Sequence, residues 1–490
     1  MAVSGALSAT AQKDVGRTRT LGLWLVVVAV AAGGALRAAG AILNRGIYWP
    51  DEIYQTLEPA HWLVFGYGLH PWEYIQGARG WVLPGAIAGI FKASQLAGLG
   101  QADAYLAIVR TVFALVGVLT VVATYRLARR LGASTLAAAV GTSVCALWAP
   151  MVYFAPRAMA ETASALPVVV GLSLALPEDA GRRSRILGTA LLGVAVLLRL
   201  HSALFCVALL AVWLARGNLK ATIDVALVLL ASALVLGFVD FITWGGWFQS
   251  AIVYLRFSLS GGSEFWGREP LGYYLLTLLG LPGLVAVLLL PLALLGGLRS
   301  QALLAVTLVF LVGHSLVPHK ELRFIVPAIP LLCALAALGL EQLRRTMSQP
   351  IFVATGALLV ATSVWSAVLL PQLTFGNLGA YLTSRPQASA WDDSAPVNSL
   401  ILAAGDQADL CGLRIYGPSL PWTGGYSYLN RRVPMYAVDR PPPGPGHYNY
   451  AIVKGPTTSA GVVRVSGRWA LVKTALRSCT PDPGYDWRLP

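Results

Sequence analysis

The chain has 490 residues, of which 56% are hydrophobic and only 12% are charged. Soluble domains carry about 25% charged residues, so this composition excludes a soluble globular protein and indicates a membrane protein. The formal net charge is +14, but the basic residues lie in short loops between apolar runs. There they set orientation in the membrane, which argues against a nucleic-acid partner.

Eleven apolar runs predict membrane-spanning helices, although the fifth and sixth are short. Their bounds are 21–43, 103–125, 133–154, 158–176, 186–199, 202–215, 221–243, 271–298, 301–317, 323–341 and 350–371. Arg199 and His201 lie between the fifth and sixth runs, which leaves open one kinked helix or two half-length helices. We expect two, because eleven spans put every basic loop on one side, and the positive-inside rule makes that side cytoplasmic.

The same alternation predicts three regions along the chain. They are a cytoplasmic N-terminal tail (1–20), a transmembrane domain (21–371) and an outer C-terminal domain (372–490). The transmembrane domain carries a long first outer loop, 44–102. In the tail we interpret 400–404 and 450–454 as strands between Gly- and Pro-rich turns. The expected fold is an all-α polytopic membrane protein with a small outer α/β domain.

The first outer loop begins with a helix start signal. Pro50 suits a first helical position, and the acids Asp51 and Glu52 suit the positive end of the helix dipole. Pro59 is expected to end or kink this helix near Gln55.

Helical spacing gathers the polar residues of this loop. Asp51, Gln55 and Glu58 are predicted to share one face, and Tyr54, Glu58 and His61 an adjacent one. Several indoles surround them, from Trp49, Trp62, Trp72 and Trp81. These residues indicate a pocket at the membrane surface. The alternative left open is that the acids only compensate the helix dipole while the indoles form an interfacial belt.

A second polar cluster precedes the tenth span. His319, Lys320 and Arg323, with the acid Glu321, lie at an outer membrane edge. This set suits an anionic lipid phosphate. Basic side chains that snorkel from a helix end are an equally open alternative.

Charged residues inside or near the spans form a third set: Arg37, Arg110, Arg157, Glu161, Arg199, His201 and Asp240. Charges at such depth are costly and are functional candidates by default. Arg157 and Glu161 are four residues apart, so a structural salt bridge explains them equally well.

The cysteines divide by location. Cys145, Cys206 and Cys333 lie in spans and are expected to be inert core thiols. Cys411 and Cys479 lie in the outer tail, where an oxidising compartment permits a disulfide. Two unpaired thiols are the alternative.

Several segments resemble the first lumenal loop of glycosyltransferase family 22, which contains mannosyltransferases of glycosylphosphatidylinositol anchors and dolichol-linked oligosaccharides. They are Trp49 to Gln55, Glu58 with His61, Phe65 to Gly68, Trp72 to Tyr74, and Arg79 with Pro84. The segment His319 to Phe324 resembles the family's later "HKE-x-RF" stretch. The similarity covers most of 45–330, and the tail does not contribute. Trp49, where the family often has His, and Pro59 depart from the pattern.

This resemblance implies a multi-span fold of the C superfamily of glycosyltransferases and an inverting transfer. The implied donor is a polyprenyl-phosphate sugar, expected to be mannose, and the acceptor is a glycan or glycolipid on the outer face. Asp51 would be the general base and Glu52 a supporting acid. His319, Lys320 and Arg323 would hold the donor phosphate. The expected substrate-binding residues are Gln55, Glu58, His61, Trp72, Glu73, Arg79, Arg157, Arg199 and Asp240.

No cofactor is required by this chemistry, although a divalent cation held by Asp51 and Glu52 is an open alternative. Two other functions remain open: a secondary transporter, and a non-catalytic lipid- or glycan-binding membrane protein. The expected location is a bacterial inner membrane with the active site facing outside, or the endoplasmic reticulum membrane if the source is eukaryotic.

Overall fold

The computed structural model describes residues 2–379, 387–391, 394–455, 461–475 and 478–489, with side chains from residue 18 onward. Helices build most of the chain. Each predicted span coincides with helical structure, and the helices are Ala2–Leu43, Ala102–Arg130, Thr135–Leu147 with Ala149–Tyr153, Ala160–Ala175, Arg182–Leu198, Ala203–Ala215, Leu219–Trp244, Tyr273–Gly280 with Val285–Gly297, Gln301–Leu316, Ile329–Thr346 and Gln349–Val368.

Within the described residues, five helices are long and apolar enough to cross a membrane by themselves. They are Thr18–Leu43, Ala102–Arg130, Leu219–Trp244, Leu322–Thr346 and Gln349–Val368. The expectation of an integral membrane protein is confirmed by these helices. The count of eleven crossings remains a prediction, because the other apolar helices have 10–17 residues.

The helix Ile329–Thr346 lies at the centre of the transmembrane domain. It continues a 3₁₀ turn, and in the combined segment Leu322–Thr346 the part apolar enough to cross the membrane is 94% buried. Gly339 permits a close approach to the helix Val285–Gly297, since a Cβ there would lie 2.0 Å from the carbonyl oxygen of Leu292. Small residues at such crossings let two backbones pack directly in a membrane, where apolar burial alone does not drive association.

The helical structure is interrupted between the fifth and sixth predicted spans. Arg199 has an extended backbone, with φ −153° and ψ 109°, and a 3₁₀ turn, Leu200–Ser202, follows it. The two half-length helices are therefore the correct alternative. The break matters because it leaves Arg199 and His201 at the wall of a cavity.

The helix of the first outer loop is continuous but irregular. It consists of Pro50–Glu52, a π-helical turn, Ile53–Leu57, and Glu58–Phe65. Pro59 lacks an N–H and would clash with the carbonyl group of Gln55 in a regular α-helix. The wider turn relieves this clash, so the predicted irregularity near Gln55 is present while the helix does not end there. The helices Trp72–Ile75, Val82–Leu96 and Gln249–Leu259 also lie between the predicted spans.

The C-terminal domain contains a five-stranded sheet in the order β2-β1-β3-β5-β4. The strands are β1 Leu413–Ile415, β2 Met435–Tyr436, β3 Tyr450–Lys454, β4 Val462–Ser466 and β5 Trp469–Lys473. β1 pairs in parallel with β2 and β3, whereas β5 is antiparallel to β3 and β4. Cys411 and Cys479 form a disulfide with a Cα–Cα distance of 6.1 Å.

One strand prediction in this domain was wrong. Residues 450–454 form β3, but 400–404 lie in the helix Ala395–Gly405. The run Leu400–Ala404 is rich in leucine and alanine, which are strong helix formers, and Pro396 stands in the first turn, where its missing N–H is harmless.

Candidate active site

A cavity of about 560 Å³ opens where the first outer loop, the break at Arg199, the segment 319–324 and the C-terminal domain meet. A smaller recess of about 70 Å³ shares part of its wall. The acidic and basic side chains that line the larger cavity are four acids and five basic groups: Asp51, Glu73, Glu161, Glu321, Arg79, Arg199, Arg323, His201 and His319. The structure thus brings together residues from both sequence motifs, which lie about 240 or more positions apart in the chain.

Asp51 and Glu52 have different environments. The Asp51 carboxylate lines the cavity, its side chain is 27% exposed, and it accepts a hydrogen bond of 2.6 Å from Arg323 Nη2. Glu52 is buried, does not line the cavity, and accepts from Arg157 at 2.6 Å and from the Tyr48 N–H at 3.0 Å. Of the two neighbouring acids, Asp51 is the one that a substrate in the cavity can reach.

Arg323 is fixed by a second acid. Its guanidinium group donates to both carboxylate oxygens of Glu321, at 2.8 and 2.9 Å, and His319 lies 3.1 Å from the same carboxylate. Lys320 points elsewhere: it is buried and donates to the carbonyl oxygen of Glu269 at 2.8 Å. Among the three residues predicted to hold the donor phosphate, His319 and Arg323 line the cavity and Lys320 does not.

Four of the residues predicted to bind substrate line the cavity: Gln55, Trp72, Glu73 and Arg79. Gln55 donates a hydrogen bond to Glu73 at 2.9 Å. Burial raises the pKa of Glu73 to about 7; nearby Arg79 opposes this shift and Asp51 adds to it. This part of the site therefore holds an acid that changes its charge close to neutral pH.

The intramembrane charges form specific pairs. Arg199 lies 3.5 Å from Glu161, and both line the cavity. Arg157 pairs with Glu52, so the alternative of an Arg157–Glu161 salt bridge is wrong. The reason is local: the helix that contains Glu161 begins at Ala160, so Arg157 lies before it and the helical spacing does not apply.

Asp240, Arg37 and Arg110 lie outside this cavity. Asp240 accepts from the Ser250 N–H at 2.8 Å and from its hydroxyl at 2.7 Å. Arg37 donates to four backbone carbonyl groups, including that of Ala146 at 2.6 Å. Arg110 donates to the Tyr428 hydroxyl. These contacts join helices and loops to one another.

Glu58 and His61, predicted as substrate-binding residues, also lie outside the cavity, at the junction with the C-terminal domain. The Glu58 carboxylate accepts from the N–H groups of Tyr426 at 3.0 Å, Ser427 at 2.8 Å and Leu69 at 2.7 Å. His61 Nε2 lies 3.1 Å from Asn430 Oδ1. The structure gives both residues partners that hold the C-terminal domain on the first outer loop.

Three lining residues come from the C-terminal domain, and no sequence pattern predicted them. They are Pro421, Trp422 and Leu489. Trp422 contacts Trp49 edge to face, with 5.3 Å between ring centroids. No group of three or more His, Cys, Asp or Glu side chains suited to a metal ion occurs in the part of the chain that the structure describes.

Comparisons with known proteins agree with the architecture and the motifs. The Alg9-like mannosyltransferase family matches residues 28–384. A GPI mannosyltransferase 3 of Yarrowia lipolytica is 30% identical over 76% of this chain and 73% of its own length. A GPI alpha-1,2-mannosyltransferase 3 of Bos taurus is 26% identical over 68% of this chain and 62% of its own length.

Solved structures share the fold at low sequence identity. ArnT from Cupriavidus metallidurans, bound to undecaprenyl phosphate, has a TM-score of 0.57 and 18% identity, covering 93% of this chain and 99% of ArnT. The oligosaccharyltransferase AglB of Archaeoglobus fulgidus, in complex with an inhibitory peptide and a dolichol-phosphate, has a TM-score of 0.53 and 12% identity, covering 89% of this chain and 69% of AglB. The expected C-superfamily fold is thus confirmed, and with the family match over most of the transmembrane domain, the chain belongs to the Alg9-like mannosyltransferase family.

Proposed function

We propose that the protein is an inverting mannosyltransferase that moves mannose from a polyprenyl-phosphate donor to a glycan or glycolipid acceptor on the outer membrane face. The observation that carries this proposal is the pairing of Asp51 with Arg323 in one cavity. A reachable carboxylate supplies a proton acceptor, and a fixed guanidinium group supplies a cation for a leaving phosphate.

In the proposed reaction, the acceptor hydroxyl gives its proton to Asp51 while its oxygen bonds to the anomeric carbon of the donor. The bond from that carbon to the phosphate oxygen breaks, and the polyprenyl phosphate leaves with the electron pair. Arg323 and His319 face the cavity and would stabilise the charge that develops on this phosphate. Glu321 holds Arg323 from behind with two hydrogen bonds, so the cation needs little reorganisation.

The hydrogen bonds of Arg323 without substrate indicate how donor binding would free Asp51 to act as the base. Arg323 Nη2 bonds to both Asp51 and Glu321. An entering phosphate competes for this guanidinium group with charge-assisted hydrogen bonds of its own. Because Arg323 keeps its partner Glu321, it can exchange Asp51 for the phosphate, which frees the Asp51 carboxylate for the acceptor proton.

The relatives and structural neighbours support the choice of substrates. The relatives are named mannosyltransferases, and the two solved neighbours are complexes with undecaprenyl phosphate or dolichol-phosphate. A lipid-phosphate donor also suits a cavity whose wall includes broken transmembrane helices. We place the active site on the outer side of a bacterial inner membrane, or the lumenal side of the endoplasmic reticulum if the source is eukaryotic.

The test is transfer by the purified protein in nanodiscs. Polyprenyl-phosphate-mannose, polyprenyl-phosphate-glucose and GDP-mannose are offered separately, with host glycan extract as acceptor, with and without EDTA. We expect transfer from the mannose lipid alone, and no loss with EDTA because guanidinium groups already face the phosphate. Donor binding without transfer would favour the non-catalytic alternative. Substrate flux across proteoliposomes without transfer would favour a transporter.

A further inference from the structure

We propose that the C-terminal domain completes the acceptor subsite, with the Trp422 indole as the surface on which an acceptor sugar ring rests. This inference rests on the proposed function and names the part of the site that selects the acceptor. Pro421, Trp422 and Leu489 line the same cavity as Asp51, although the family match ends at residue 384. The residues proposed for the chemistry lie inside the matched region, and these three wall residues lie beyond it.

Trp422 is held in place from both sides. It ends a short 3₁₀ turn, Leu420–Trp422, whose first N–H donates to Asp439 at 3.0 Å. The Tyr54 hydroxyl, from the outer-loop helix, donates to the carbonyl oxygen of Leu420 at 2.7 Å. These bonds fix the backbone that carries Trp422, and Trp49 packs against the Trp422 ring edge to face. A ring that is packed on a fixed backbone loses little conformational freedom when a ligand binds, which favours a preformed binding surface.

Leu489 reaches the cavity through backbone pairing near the end of the described chain. The His70 N–H donates to the Trp487 carbonyl at 2.7 Å, and the Leu489 N–H donates to the His70 carbonyl at 2.8 Å. Trp487 packs on Tyr426, with 5.0 Å between ring centroids. The last residues therefore form a fixed part of the wall, attached to the same loop that carries Asp51.

The chemistry of this wall suits a saccharide. It is apolar and aromatic, while the charged groups come from the transmembrane domain and its first loop. A pyranose presents C–H groups on one face and hydroxyl groups at its edge, so it matches an indole face beside polar groups. The donor phosphate is assigned to His319 and Arg323, which lie shortly before the helix Ile329–Thr346. The C-terminal domain adds an apolar part of the wall, and this part is the one assigned to the acceptor.

Two readouts in the full-length protein test this inference. The first is steady-state transfer with varied acceptor and varied donor. Trp422→Ala should raise the acceptor KM by several-fold to about tenfold and leave the donor KM within about twofold, and Trp422→Phe should recover most of the loss. Trp469→Ala is the matched control, because Trp469 lies in the same domain but outside the cavity. An unchanged acceptor KM, or an equal rise in both KM values, would overturn the inference.

The second readout needs no turnover. Saturation-transfer NMR with methyl α-mannopyranoside, without donor, reports contact of the sugar C–H groups with the protein. We expect a signal with the wild type, Asp51→Asn and Trp469→Ala, and its loss with Trp422→Ala. A full signal in Trp422→Ala contradicts the proposed subsite even if the enzyme proves inactive. Sugar contact that depends on Trp422, combined with absent transfer, would contradict the proposed function and leave the subsite standing.

Discussion

Replacement of Asp51 by asparagine should abolish most of the transfer while leaving the fold intact. The change keeps the shape of the side chain and removes its basicity. Loss of a general base typically lowers the rate by about 10²- to 10⁴-fold. The stability cost is small, because the Asp51 side chain is 27% exposed and its partner Arg323 keeps two hydrogen bonds to Glu321. A partly exposed ion pair contributes about 1 kcal/mol or less.

Replacement of the neighbouring acid, Glu52, should affect stability more than replacement of Asp51. Glu52 and Arg157 form a buried pair with side chains 9% and 3% exposed, and breaking such a pair costs about 3–5 kcal/mol. Glu52→Gln should therefore lower the unfolding temperature strongly, and lose activity through folding. Single-turnover mannose transfer and thermal unfolding by intrinsic fluorescence separate the two effects. A stable, inactive Glu52→Gln beside a fully active Asp51→Asn would refute this assignment of the base.

The remaining predictions concern the phosphate site, the domain junction and pH. Arg323→Gln should raise the donor KM at least tenfold, whereas Lys320→Gln should change it far less, since only Arg323 lines the cavity; equal effects would contradict this geometry. Glu58→Gln should leave the N–H of Tyr426 or of Ser427 without an acceptor and destabilise the contact between the C-terminal domain and the first outer loop by about 1–3 kcal/mol. Faster proteolysis of the C-terminal domain would report this loss. Burial raises the pKa of Glu73 from 4.5 to about 7. The folded state thus holds this proton more tightly, and the group's contribution to stability, complete below about pH 4.5, is lost as pH rises to about 7. Burial also raises the pKa of Glu58 to about 7. Glu73→Gln should therefore reduce, without abolishing, the slope of the unfolding temperature against pH over that range, and an unchanged slope would exclude Glu73 as a contributor.

Local sequence patterns predicted the parts of the fold that depend on local physics. Apolar runs located the helices, because each span must satisfy its backbone hydrogen bonds within itself. The start signal at Pro50 and the irregularity caused by Pro59 both follow from the missing proline N–H. The positions of Asp51 and Arg323 in the sequence do not indicate that the two residues are in contact. The family resemblance predicted that both belong to one site, and their 2.6 Å ion pair agrees with that prediction.

Predictions from helical spacing were wrong where the backbone departs from a regular helix or where the contacting residues are distant in the sequence. The π-helical turn at Ile53–Leu57 shifts the face on which later residues lie, so Glu58 and Asp51 do not share a pocket. The partners of Glu58 are backbone N–H groups of Tyr426 and Ser427, more than 360 residues further along the chain. Every non-proline residue has a backbone N–H, so the sequence does not indicate which of them will donate to a distant carboxylate. Trp422 is likewise distant in sequence from the first outer loop, and no local pattern predicted that it lines the cavity.

The most direct test of the account measures both products of one reaction. Purified wild-type protein and Asp51→Asn are mixed with isotope-labelled polyprenyl-phosphate-mannose and acceptor glycan, and each sample is assayed for mannosylated glycan and free polyprenyl phosphate. The proposed reaction yields equal molar amounts of the two products with the wild type, and we expect at least about 10²-fold slower formation of both with Asp51→Asn. Wild-type protein that binds the donor but releases no polyprenyl phosphate, or an Asp51→Asn variant as fast as the wild type, would contradict it.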